Sequence, residues 1–194
     1  ASDEIEYCLN LADIDVLFFG PEFIGRLETI SEKIMAHRLL IYVGEGLQPS
    51  FSESYVMSVM NYSSENPDIE ISDEDYGAIY FSSGTTGFPK AILHKHKALM
   101  HSAAVEQNHH GQKKDDVFLC IPPLYHTGAK MHWFGSLISG GKAVLLRGTK
   151  PEIILKAVSD EKCTIVWLLV PWAQDILVAI ERGDVDLKAY KLDQ

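Results

Sequence analysis

Short apolar runs alternate with longer amphipathic stretches along most of this chain, and that alternation constrains its fold more than any other feature. Residues 15–19 (DVLFF), 39–43 (LLIYV), 76–81 (YGAIYF), 117–121 (VFLCI), 142–146 (KAVLL) and 164–170 (TIVWLLV) read as strands. They lack strict polar alternation, as expected of strands covered on both faces. Between them, residues 21–37 carry Phe23, Leu27, Ile30 and Ile34 at three- and four-residue steps, with Pro21 at the start, and read as one helix. Residues 51–62, 96–110, 128–139 and 149–162 read as further helices, the last with Thr149 and Glu152 at capping-box spacing. Strand and helix in alternation imply an α/β fold with a mostly parallel β-sheet flanked by helices. The expected organisation is a partial α/β segment over 1–62, a polar connector over 63–72 and a second α/β segment over 73–194.

Composition narrows the functional classes. With 46% apolar and 23% charged residues the chain is of ordinary globular make-up. Lys and Arg total 17 against 27 Asp and Glu, and the net charge of −10 opposes nonspecific attraction to nucleic acid or to anionic membranes. No apolar run approaches the ~20 residues of a spanning helix. Cys8, Cys120 and Cys163 are few, far apart and without a CxxC pair, so they read as buried thiols of a reducing compartment. A cytoplasmic location is the expectation.

Chemistry concentrates in YFSSGTTGFPK, residues 80–90, which follows a strand and is expected to lead into a helix at the carboxyl edge of the sheet. Gly84 and Gly87 let the backbone approach a ligand closely, and consecutive N–H groups in such a turn form a concavity for anions. Ser82, Ser83, Thr85 and Thr86 add hydroxyl groups, and Thr oxygens can also reach a phosphate-bound Mg2+. Lys90 adds a charge worth about 4 kcal/mol against a phosphate 4 Å away at an effective dielectric of 20. The pattern points to a polyphosphate. It is not a Walker A loop, because Pro89 precedes Lys90 and Ala91 follows it. Nor is it a serine-hydrolase elbow, since Tyr80 and Phe81 stand two before Ser82 and Ser83.

These residues resemble the phosphate-binding signature of the adenylate-forming superfamily, which includes acyl-CoA synthetases, firefly luciferase and the adenylation domains of nonribosomal peptide synthetases. SSGTTGFPK matches the family's [ST]-[ST]-G-[ST]-T-G-x-P-K throughout, and PPLYHTG at 122–128 is similar to its P-L-[FY]-H segment. His96, GGKAVLL at 140–146 and TIVWLLVPWAQDIL at 164–177 agree with the family pattern. Ala91 and Lys95 depart from it, and an altered start to the following helix is the expected result.

The resemblance implies an AMP-forming acid–thiol ligase that uses ATP, Mg2+ and coenzyme A on a small-molecule carboxylate. In that scheme Ser82, Ser83, Gly84, Thr85, Thr86, Gly87 and Lys90 hold the phosphates, Thr85 or Thr86 approaches Mg2+, and His126 borders the reacting carboxylate. Tyr125, Trp133 and Trp172, with Trp167, are the implied walls of an acyl pocket. The family's downstream Y-G-x-T-E and T-G-D segments do not occur in these 194 residues. The expectation is therefore an internal fragment of the large N-terminal domain, without the C-terminal catalytic-lysine domain and inactive alone. Two other readings stay open: a non-catalytic nucleotide-binding module, and an adenylation domain that loads a carrier protein. The tryptophans are more often core than substrate wall. His94, His96, His101, His109 and His110 read as a solvated helix face rather than a metal cluster, because no cysteine or carboxylate completes a ligand set at usual spacing.

Overall fold

Leu40, Ile41 and Tyr42 are buried in succession, which a strand achieves only when both its faces are covered. The computed structural model describes residues 1–82 and 87–192, and its chain divides into two units, residues 1–94 and 95–194.

The first unit starts with α1 (Ser2–Leu11), for which the sequence reading has no counterpart. Ile5 and Leu9, one turn apart, turn it to the core. β1 (Val16–Phe19) pairs in parallel with β2 (Leu39–Tyr42), and β2 pairs in parallel with β3 (Glu53–Ser54). The core here joins Leu9, Phe19, Leu40 and Tyr42 to Leu27, Ile30 and Ile34.

The last three come from the segment expected to be one helix. Instead a 3-10 turn at Pro21–Phe23 is followed by two short helices, α2 (Ile24–Glu28) and α3 (Ser31–Met35). The break has a local cause. Thr29 Oγ1 donates to the Arg26 carbonyl at 2.9 Å and Ser31 Oγ to the Glu28 carbonyl at 3.0 Å, so hydroxyls compete for helix acceptors beside a β-branched pair. The apolar spacing located the core face correctly, while the continuity of the helix was overridden.

Helix α4 (Tyr55–Met60) is shorter than the expected 51–62, and the polar stretch after it, through residue 72, has neither helix nor strand. β4 (Tyr76–Ser82) and β5 (Lys90–Lys95) form a two-stranded sheet. This corrects the expected placement of the glycine-rich segment. It runs between two paired strands, not from a strand into a helix. Residues 91–93 (AIL) are apolar and suited to an extended chain, so Ala91 and Lys95 belong to a strand, and His94 is a strand residue whose ring meets Tyr80 at 5.1 Å.

The second unit is built on the three-stranded parallel sheet β7-β6-β8, formed by β6 (Val117–Cys120), β7 (Lys142–Leu145) and β8 (Ile165–Val166). Helices α5 (His96–His110), α6 (Thr127–Ser139), α7 (Pro151–Glu161) and α8 (Val170–Arg182) accompany it. Successive β6 side chains serve opposite faces. Phe118 and Cys120 pack with Ala129 of α6, whereas Leu119 and Ile121 pack with Ile154 of α7. A second layer beyond α7 joins Leu155 to Ala179 of α8 and Val185.

Two boundaries differ from the sequence reading. Residues 164–170 were expected to be a seven-residue strand, yet only Ile165 and Val166 pair, and α8 starts at Val170 with Pro171 in its first turn, where a missing N–H costs nothing. α7 is capped by Lys150 with no side-chain bond, so the expected Thr149–Glu152 capping box does not form. Among the described residues no helix is long and apolar enough to cross a membrane.

Candidate active site

Ser82 is the last residue of β4 and Lys90 the first of β5, and both are exposed. Ser83, Gly84, Thr85 and Thr86, which include both residues proposed to approach Mg2+, lie outside the described residues. At the far end of the segment Gly87 has φ +108°, a backbone state that side-chain-bearing residues rarely adopt, and a Cβ there would meet nothing within 4 Å. The next residue, Phe88, packs its ring on Tyr7 of α1 at 4.7 Å, which anchors that end of the segment. The described ends thus present a hydroxyl, a glycine at positive φ and an ammonium group. That donor set fits an anionic ligand.

A second group of functional candidates stands at the carboxyl end of β6, the central strand of its sheet. The chain leaves Cys120, passes Pro122 and Pro123, and reaches Tyr125 and His126 before α6 begins. Carboxyl ends of parallel strands are where open α/β sheets bind ligands. His126 is the N-cap of α6 in an extended conformation, its N–H donating to the Pro123 carbonyl at 2.9 Å. Its ring meets that of Tyr125 at 4.7 Å, and both side chains are exposed. Exposure leaves them free to touch a ligand rather than fill the core.

Trp167 follows the carboxyl end of β8 and is half-buried with Trp133, Leu124 and Ala129. Its indole reaches the first turn of α6, where a Cβ on Gly128 would stand 3.0 Å from Cζ2. Trp133 and Trp167 therefore share one apolar cluster beside Tyr125 and His126. Trp172 packs elsewhere, with Leu119, Ile121 and Ile154 on the opposite face of the sheet. The contact between Gly128 and Trp167 was missed in the sequence, where 39 positions separate the two residues and nothing local links them.

Cys120 is buried, its thiol pushed up by desolvation, with Sγ 3.5 Å from the Pro122 carbonyl. Burial likewise raises Cys8 and Cys163. Thiols held in the protonated state are poor nucleophiles.

The exposed Ser82, Gly87 and Lys90 belong to the first unit, and the exposed Tyr125–His126 pair stands at the carboxyl end of the parallel sheet of the second. Residues 1–192 match the family of AMP-binding enzymes, and the chain belongs to that family. It is 32% identical over 120 residues to a 4-coumarate–CoA ligase-like protein of Arabidopsis thaliana, covering 61% of this chain and 21% of that one. An acyl-CoA ligase of Aspergillus fumigatus is 28% identical over 186 residues, covering 83% of this chain and 30% of its own length. The chain thus spans less than a third of the length of these relatives. The crystal structure of an anthranilate CoA ligase in complex with anthranoyl-AMP shares the fold with a TM-score of 0.81 at 24% identity, over 98% of this chain and 36% of that one.

Proposed function

We propose that the protein containing this chain activates a carboxylic acid with ATP and passes the acyl group to coenzyme A. The observation that carries this reading is the SSGTTGFPK segment within a family match that covers residues 1–192. Relatives named as CoA ligases support it. A carboxylate oxygen attacks the α-phosphorus of ATP, the bond to the bridging oxygen breaks, and pyrophosphate leaves with the electron pair. The thiol of coenzyme A then attacks the acyl carbon and expels AMP, its proton passing to solvent.

In this scheme Ser82, Ser83, Gly84, Thr85, Thr86, Gly87 and Lys90 bind the β- and γ-phosphates. Fixed donors there stabilise the charge that builds on the leaving pyrophosphate, the larger part of catalysis where no covalent enzyme intermediate forms. Mg2+, held through the phosphates and approached by Thr85 or Thr86, would neutralise the same charge. His126 borders the carboxylate, and Tyr125 and Trp133 wall the acyl group, with Trp167 closing against Gly128, whereas Trp172, on the other face of the sheet, serves the core there. By itself the 194-residue chain is proposed to be inactive, since it carries no Y-G-x-T-E or T-G-D segment. The compartment proposed is the cytoplasm.

Product analysis by mass spectrometry tests the reading. The natural polypeptide that contains this chain, given MgATP, coenzyme A and a panel of aliphatic and aromatic acids, should form AMP and one acyl-CoA in equal amounts. Acylation of a carrier protein in place of coenzyme A would favour an adenylation domain, and ATP binding without any acyl product would favour a non-catalytic module.

A further inference from the structure

We infer a binding site for a borderline divalent cation such as Zn2+ between α5 and α6, formed by Glu106, His110 and His132. Glu106 and His110 lie four apart on α5, and His110 Nε2 stands 3.2 Å from Glu106 Oε2. His132 comes from the middle of α6, and its Nε2 faces the same carboxylate oxygen at 3.9 Å. The rings of His110 and His132 meet at 4.8 Å, and one ligand atom from each of the three residues falls within 4.8 Å of the others. Four-coordinate zinc with bonds of ~2.0–2.1 Å sets its donor atoms about 3.3 Å apart. Small side-chain rotations bring this set to that spacing.

The setting of His132 singles the cluster out from a surface ion pair. Its side chain is 7% exposed, and its ring stacks on the buried Phe118 at 5.4 Å. Nδ1 lies 3.2 Å from the Gly128 carbonyl, an acceptor only, so Nδ1 is the nitrogen that carries hydrogen. In the neutral ring Nε2 then holds a lone pair, aimed at a carboxylate oxygen beyond hydrogen-bond length. Two acceptors face each other with room for a cation between them. A backbone carbonyl that fixes the tautomer and leaves the other nitrogen to the metal is the usual outer shell of a histidine ligand.

Two imidazoles and one carboxylate suit zinc, copper or nickel rather than magnesium. The three protein ligands leave one position for water. The sequence hides this set because Glu106 and His110 alone make an ordinary helix pair, and His132 joins them only through packing of the two helices. The ion would staple α5 to α6, the helix that His126 caps. The site uses none of the residues assigned to ATP or to the carboxylate, so it stands apart from the proposed ligase activity.

Zinc titration of the purified chain, monitored by calorimetry and by competition with a chromogenic chelator, tests the inference. One equivalent should bind with micromolar affinity, Co2+ in its place should give the visible absorption of a four-coordinate site, and zinc should raise the melting temperature. Glu106→Gln and His110→Ala change partly exposed side chains and should weaken binding at least tenfold while leaving the metal-free melting temperature near wild type. His101→Ala, outside the cluster, should leave binding unchanged. Absence of a stoichiometric site overturns the inference, and so does equal affinity in the Glu106→Gln and His110→Ala variants.

Discussion

Trp167 lies against Gly128 so closely that a Cβ on the glycine would be 3.0 Å from Cζ2 and 3.4 Å from Cη2 of the indole. The two residues couple the carboxyl end of β8 to the first turn of α6, the turn that follows His126. A methyl group at residue 128 must therefore push the indole by a few tenths of an ångström. In the natural polypeptide, Gly128→Ala should change the KM for the carboxylic acid by roughly fivefold, equivalent to about 1 kcal/mol of packing strain. The KM for ATP should stay within twofold. Steady-state kinetics with each substrate varied in turn checks this.

A stronger steric effect is expected in the interior of α6. A Cβ at Gly135 would overlap Gln112 Oε1 and stand 3.3 Å from Gln107 Cβ. Gln112 cannot swing away freely, because it is buried and its Nε2 donates to Ser136 Oγ at 2.7 Å. Alanine has the better helix propensity by ~1 kcal/mol, so overlap and propensity oppose each other. Gly135→Ala should still destabilise the chain by a net 1–3 kcal/mol, read as a lower midpoint in urea.

Much of this arrangement was legible in the sequence, for identifiable reasons. Strands β1, β2, β4, β6 and β7 stood out because runs such as VLFF and VFLC are short, apolar and bounded by turn residues. The core positions Leu27, Ile30 and Ile34 followed from helical spacing. What stayed hidden was set by tertiary packing or by side-chain competition. The Thr29 and Ser31 hydroxyls divide the helix that spacing alone runs together. The partner strand β5 was obscured by the helix after it, because its apolar centre spans only three residues. The Tyr125–His126 pair could be read from the segment itself, whereas its neighbour Trp167 and the meeting of His132 with Glu106 depend on contacts between distant elements.

At the amino end of the β7-β6-β8 sheet, Asp116 ties three strands together. Its carboxylate accepts from the Lys113 N–H at 2.8 Å and from Thr164 Oγ1 at 2.8 Å, while Thr164 Oγ1 accepts from the Val117 N–H at 3.0 Å. Its carbonyl accepts from the Lys142 N–H at 3.1 Å. Asp116→Ala removes the side-chain acceptors and should cost about 1–2 kcal/mol. Hydrogen exchange should show the loss first in the amides of β6 and β8.

The C-cap of α7 is a non-glycine residue in the left-handed region, Lys162 with φ +55°. Side chains beyond Cα crowd the following carbonyl there, at a cost of ~1–2 kcal/mol, part of which glycine returns through its greater freedom in the unfolded chain. Lys162→Gly should raise stability by about 0.5–1 kcal/mol, seen as a higher melting temperature with unchanged secondary structure.

If the Ser82–Lys90 segment serves adenylation of a carboxylate, as proposed, ATP–pyrophosphate exchange by the natural polypeptide is its most direct test. Exchange should depend on an added carboxylic acid, require Mg2+, and fall at least tenfold in Lys90→Ala. Exchange that proceeds without any acid, or hydrolysis of ATP to ADP and phosphate with no exchange across the whole acid panel, would contradict it.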